Sequence, residues 1–171
     1  MRIGLIAGST RPDGTTVAFV TEVQRRWAGQ SGVTAVTLAP DLERLPLFTT
    51  TRLAAGRPAE VEAWAAFAKT QDALLVATPE YAHGVPAALK SALEWLVASG
   101  EFSRKRVLAC TVTPHPPRGE KCLQALTWTL RAMDAEVVAE FPVYATAATL
   151  REASADAEWA ELVEAGLEVL R

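Results

Sequence analysis

Nine consecutive residues, Gly8-Ser9-Thr10-Arg11-Pro12-Asp13-Gly14-Thr15-Thr16, put two glycines, four hydroxyls and one guanidinium directly ahead of a segment with helical period. That is the donor set of an anion cradle. Gly8 and Gly14 let the backbone turn tightly and approach a ligand closely. The hydroxyls and the unpaired N–H groups at a helix start all donate inward, and Arg11 adds a charge-assisted fork. The loop contains no lysine, so the GxxxxGK[ST] pattern of a triphosphate loop is excluded, and the GxGxxG spacing of a dinucleotide loop is missing too. One Arg with several hydroxyls suits a single terminal phosphomonoester, such as that of flavin mononucleotide (FMN). An ordinary strand-to-helix turn with Thr15 or Thr16 as the helix N-cap fits the same residues.

Other reactive side chains are few. His83 and His115 are the only histidines, and Cys110 and Cys122 the only cysteines, in no CxxC pair. That is too little for a dedicated zinc site or a disulfide scaffold. Cys110, inside an apolar run, reads as packing, whereas Cys122, near a helix start, is a candidate for a lowered pKa. Both histidines read as loop residues, exposed or lying over a ligand. Asp41 occupies the place of a ribose-binding acid, but without GxGxxG it reads as a loop or cap residue. No Ser-His-Asp or paired-carboxylate constellation is present, so no protein nucleophile or metal is expected.

The elements that must hold these groups follow from hydrophobic period. Runs at Arg2–Ala7, Val33–Leu38, Ala73–Thr78, Val107–Thr113 and Glu136–Tyr144 predict five strands. The first, third and fourth are continuously apolar, as strands covered on both faces are. Between them run helical stripes: Val17, Val20, Val23, Trp27; Val61, Trp64, Ala65, Ala68; Leu89, Leu93, Leu96; Leu123, Leu126, Leu130; and Trp159, Leu162, Val163, Gly166, Val169. Strict alternation predicts an α/β fold: a flavodoxin-like, doubly wound, five-stranded parallel sheet of order 2-1-3-4-5 with helices on both faces. Pro40–Pro58 shows no period and is expected to be a long loop with a turn of helix. Trp27, Trp64, Trp128 and Trp159 are expected in packing positions, and the acids from Glu152 to Glu168 on the solvated face of the last helix.

Composition sets the outer bounds. The 171 residues, 50% hydrophobic and 22% charged, are expected to form a single domain over 1–171. A net charge of −3, with no basic run longer than Arg104-Lys105-Arg106, gives no nucleic-acid footprint. An N-terminal apolar run of about five residues is too short for a secretion signal, and no stretch of about 18 apolar residues spans a membrane. A soluble, cytoplasmic protein is expected.

The third strand ends Ala77-Thr78-Pro79-Glu80-Tyr81-Ala82-His83-Gly84-Val85-Pro86 and leads into Ala87-Ala88-Leu89-Lys90-Ser91-Ala92-Leu93-Glu94-Trp95-Leu96. This resembles the TPEYN and LKNA signature of the NADPH-dependent FMN reductase family, and the first loop resembles that family's GSxRxxGxT phosphate loop. In outline the resemblance covers the whole chain. It implies a flavodoxin-like subunit that binds FMN, takes hydride from NADPH or NADH, and passes two electrons to a flavin, quinone, azo or metal-oxyanion acceptor. Carried over residue by residue, it implies that Ser9, Arg11, Thr15 and Thr16 hold the phosphate. Pro79, Glu80, Tyr81, His83 and Gly84 would line the ribityl chain and the ring, with His83 as a candidate proton donor. It also implies a homodimer or homotetramer through helix Pro86–Leu96, with Trp95 on an exposed face at the subunit contact. Arg52, Arg57 and Arg118 are unranked candidates for the 2′-phosphate of NADPH.

The chain departs from the family pattern at three places. Ala82 stands where a polar residue is usual, Ser91 replaces the Asn of LKNA, and the loop Thr113–Glu120 carries three prolines that remove N–H donors. A flavodoxin-like electron carrier and a flavin-free binding module are the alternative readings on the same fold.

Overall fold

The structure, a computed structural model, describes residues 1–152 and 158–171. Five parallel strands, β1 (Arg2–Ala7), β2 (Ala35–Leu38), β3 (Ala73–Thr78), β4 (Arg106–Thr113) and β5 (Glu136–Tyr144), form one sheet in the order β2-β1-β3-β4-β5. Helices α1 (Thr15–Trp27) and α7 (Glu158–Leu170) cover one face; α3 (Ala59–Thr70), α4 (Ala87–Val97) and α5 (Glu120–Ala132) cover the other. Two short helices, α2 (Thr50–Ala54) and α6 (Ala147–Arg151), complete the described set. This is the predicted doubly wound sheet, and the predicted strand positions hold to within two residues.

Each face has its own core. Ile6, Leu74, Val76 and Val107 point into a layer with Trp64, Leu89, Leu93 and Leu126, while Ile3, Leu5, Leu75 and Leu108 meet Phe19, Trp27, Val163 and Leu167. The two layers alternate along β1 and β3 because successive strand side chains point to opposite faces. That is why residues 3–7 and 73–77 contain no polar position. On α7 the stripe departs from expectation at one end: Val169 is exposed, and Leu167 and Leu170 take its place inside. The acids Glu158, Glu161 and Glu168 of α7 face solvent as expected, while Asp156 lies outside the described residues.

Two tryptophans change places relative to expectation. Trp128, expected to pack, is 63% exposed on the outer side of α5. Trp95, expected at an exposed subunit contact, is fully buried: its Nε1–H donates to Pro46 O at 2.8 Å and its ring meets Phe48 edge-on with centroids 5.4 Å apart. The cause is the Pro40–Pro58 segment. It holds a short 3-10 turn at Leu42–Arg44 and α2, and between them Pro46–Phe48 lies across α4. Ser91 accepts the Phe48 N–H at 2.7 Å, so the residue that replaces the family's Asn has a definite task. An aperiodic strap thus buries a helix face that the sequence shows as open.

Candidate functional site

The carboxyl ends of β1, β3 and β4 lie side by side, where open α/β sheets bind ligands. The loop after β1 starts at Gly8, whose N–H donates to Ala77 O at 2.7 Å. A Cβ on Gly8 would sit 2.6 Å from Leu89 Cδ2 and 2.8 Å from Thr78 Oγ1, so only glycine lets this loop lie against β3 and α4. Arg11 N–H donates to Ser9 Oγ at 3.2 Å and Gly14 N–H to Arg11 O at 3.0 Å, which curls the loop upon itself. The N-cap of α1 is Gly14, and no side chain caps the helix. Thr15 and Thr16 are therefore not caps: they occupy the first turn, where their hydroxyls stand beside unpaired backbone donors.

Arg11 is the loop's only basic side chain. Its Nε lies 2.8 Å from Asp13 Oδ1 and its Nη2 3.3 Å from Oδ2, with both side chains largely in solvent. The bidentate contact holds Asp13 below the usual carboxylate range and raises Arg11. The same fork geometry matches a phosphate.

The loop after β3 is a tight reversal. Tyr81 N–H donates to Gly84 O at 3.1 Å and Gly84 N–H to Tyr81 O at 2.9 Å, across Ala82 and His83 at φ of 49° and 62°. Two successive left-handed residues make a mirror-image turn that glycine, Asn or Asp ordinarily fill. Ala82 pays in strain for the absence of such a residue. Tyr81 and His83 project into solvent, whereas Glu80 turns inward. The Glu80 carboxylate is nearly buried: Oε2 accepts the Gly119 N–H at 3.0 Å, and Oε1 lies 3.7 Å from His83 Nδ1. Glu80 therefore ties the β3 loop to the residue that starts α5. Gly119 has φ of +93°, and a Cβ there would lie 2.6 Å from Thr111 Oγ1.

Behind Pro79 sits Cys122. Its Sγ contacts Pro79 O at 3.5 Å, and burial with the nearby Glu80 charge pushes the thiol up to about 12. The expected lowered pKa is thus reversed, because the side chain is enclosed rather than open to a helix dipole. Cys110, on β4, is likewise buried with its pKa raised, as expected of packing. Asp41 caps the 3-10 turn by accepting Glu43 N–H at 2.9 Å. His115 is exposed, its Nδ1 3.0 Å from Pro116 O.

These pieces meet in one cleft of about 190 Å³ lined by Ser9, Arg11, Thr15 and Thr16 on one side, Pro79, Glu80 and Tyr81 on another, and Val112, Thr113, Pro114 and Arg118 on the third. A neighbouring cleft of about 540 Å³ shares Glu80 and Arg118 and adds His83 and Lys121. Of the nine residues expected to bind the cofactor, only Gly84 lines neither. The β4 contribution, Val112 and Pro114 above all, carried no motif of its own; its signal was position, at the end of the strand beside β3. Among the described residues no group of His, Cys, Asp or Glu is placed to hold a metal, and no helix is long and apolar enough to cross a membrane.

Quinone reductase of Escherichia coli K12 is 32% identical over 106 residues, which is 60% of this chain and 56% of that protein. The chain therefore matches little more than half the length of this curated relative. Among solved structures, the flavoenzyme NAD(P)H:(acceptor) oxidoreductase FerB from Paracoccus denitrificans superposes with a TM-score of 0.79 at 17% identity, covering 99% of this chain and 94% of that one. General stress protein 14 from Treponema denticola, solved in complex with FMN, gives 0.61 at 15% identity, covering 99% and 98%. At such identities the likeness is one of fold. The family model for NADPH-dependent FMN reductase matches residues 1–164, through both motif loops and all five strands, and the chain belongs to that family.

Proposed function

We propose that the chain is an FMN-dependent NAD(P)H oxidoreductase that delivers two electrons to a quinone or a similar planar acceptor. The observation that carries this is the single cleft in which the hydroxyl-rich loop, the Pro79–Gly84 loop and the end of β4 converge. Its donor chemistry fits the cofactor's phosphate end: Ser9, Thr15 and Thr16 hydroxyls, the Arg11 fork and the uncapped start of α1 all supply hydrogen bonds to an anion. FMN, when bound, supplies hydride and electron transfer, so no protein nucleophile is needed.

The chain's own residues bind and orient. Arg11 leaves Asp13 to take the phosphate. Pro79, Glu80 and Tyr81 form the wall beside the ribityl chain and ring, and Glu80 keeps that wall fixed to α5. Gly84 closes the turn that sets Tyr81, and His83, at the solvent edge, holds a proton for an acceptor. A homodimer or homotetramer through Pro86–Leu96 is part of the reading. With Trp95 enclosed, its contact falls to the outward residues Ala87, Lys90 and Glu94 and to the exposed Val97. The setting is cytoplasmic, where NADPH and NADH are supplied.

The test is the flavin content of the purified protein, followed by NADPH and NADH oxidation with a soluble quinone. One FMN per chain and quinone-dependent oxidation of either nucleotide are expected. A protein that binds riboflavin as tightly as FMN, or that takes up FMN but oxidises neither nucleotide, overturns the reading.

A further inference from the structure

The three loop arginines that could meet a second phosphate are separated by the structure. Arg52 donates through Nη1 to Leu47 O at 2.6 Å. Arg57 is 3.0 Å from Glu101 Oε1 and also donates to Ser99 Oγ. Neither lines the two clefts described above. Arg118 lines both.

Its placement is that of an anchored but uncommitted cation. The Arg118 N–H donates to His115 O at 3.2 Å and its carbonyl accepts the Thr113 hydroxyl at 2.9 Å, so the backbone is fixed. Among the described residues no carboxylate lies within ion-pair distance of its guanidinium, and the same holds for Lys121. Lys121 lines the larger cleft alongside it. The two acids there, Glu80 and Glu120, pair with neither cation: Glu80 accepts the Gly119 N–H and lies 3.7 Å from His83 Nδ1. Arg11, by contrast, has its partner in Asp13.

A planar fork and a flexible point charge, on a cleft that shares Glu80 and Arg118 with the proposed flavin cleft, suit a phosphate dianion on a ligand reaching toward the flavin. We propose that Arg118, seconded by Lys121, binds the 2′-phosphate of NADPH and so sets the preference for NADPH over NADH. This rests on the oxidoreductase reading above.

The experiment measures binding of adenosine 2′,5′-bisphosphate and of 5′-AMP to the FMN-loaded protein by calorimetry, and the ratio of kcat/KM for NADPH and NADH. Wild type is expected to favour the bisphosphate and NADPH. Arg118→Ala should lower the bisphosphate-to-AMP affinity ratio and the NADPH-to-NADH ratio together, by roughly ten- to a hundredfold. Lys121→Ala should lower both by a few-fold. Arg118→Lys should restore part of the loss, since charge returns without the fork, and Arg52→Ala should leave both ratios as in wild type. Equal ratios in wild type and Arg118→Ala overturn the assignment, as does a wild type indifferent to the 2′-phosphate. Failure of the oxidoreductase reading looks different: the FMN-loaded wild type then oxidises neither nucleotide.

Discussion

Glu80→Ala should loosen the protein and its cleft together. The wild-type carboxylate accepts the Gly119 N–H at 3.0 Å inside the structure, and Gly119 is buried. Alanine leaves that N–H without a partner, a loss of about 1–3 kcal/mol for a buried donor. Gly119 is also the N-cap of α5, so the substitution removes a negative charge from the positive end of a 13-residue helix, worth about 0.3–1 kcal/mol more. Glu80→Gln separates the two effects, because its amide oxygen can still accept the N–H while the charge is gone. For a chain of 171 residues, each kcal/mol moves the melting temperature by about 2–4 °C. The melting temperature of the flavin-free protein should fall by about 3–16 °C for Ala and by no more than about 4 °C for Gln. FMN titration should follow the same order, since the freed loop carries Pro114 and Arg118 away from the phosphate loop. An alanine variant that melts within 1 °C of wild type would falsify the claim that Glu80 holds the two loops together.

Arg11→Ala should weaken FMN roughly ten- to a hundredfold in a fluorescence titration while riboflavin, which offers no phosphate, binds as before; Asp13→Asn should tighten FMN, and unchanged FMN binding in both removes Arg11 from the phosphate site. Ala82→Gly should raise the melting temperature, by about 1–2 °C, because it relieves a left-handed alanine at φ of 49° and gives back only part of that gain as unfolded-chain entropy; a lowered value contradicts the turn geometry. Cys122 should resist a thiol reagent in the native protein at pH 8. Its thiol keeps its proton to about pH 12 when folded but ionises near 9 when unfolded, so stability should decline as pH rises above about 9, less steeply in Cys122→Ala. Rapid labelling of the native thiol at pH 8 refutes that burial.

The five strands were legible because each is an uninterrupted apolar run or a β-branched run of ordinary strand length; alternation with helices made the sheet parallel and covered on both faces, and a count of five suited the flavodoxin-like order. The phosphate loop and the Pro79–Gly84 loop were legible for a different reason. Glycine, Ser, Thr and Arg at a strand-to-helix junction carry a donor pattern in their composition alone. Gly119 shows the limit of that kind of signal. Its left-handed φ and its closeness to Thr111 are needed for the Glu80 contact, yet in sequence it is simply the residue that ends a proline-rich loop.

What escaped the sequence shares one cause: a partner that arrives from a segment with no period. Trp95 stands off the Leu89, Leu93, Leu96 stripe, and helical geometry alone turns it away from the sheet. It is buried all the same, because Pro46–Phe48 supplies a carbonyl to its indole and a ring edge to its face. Trp128 errs in the opposite direction, since nothing comparable crosses the outer side of α5 among the described residues. Cys122 follows the same rule: the enclosing contact is Pro79, from a loop 43 positions earlier in the chain, and it converts a helix-start thiol from an activated group to an inert one. The same long-range dependence governs function. Arg118 follows β4 in the proline-rich loop, while Arg52 and Arg57 lie in the aperiodic segment, and of the three only Arg118 reaches the clefts with its charge unmatched, because Leu47, Ser99 and Glu101 have already engaged the other two.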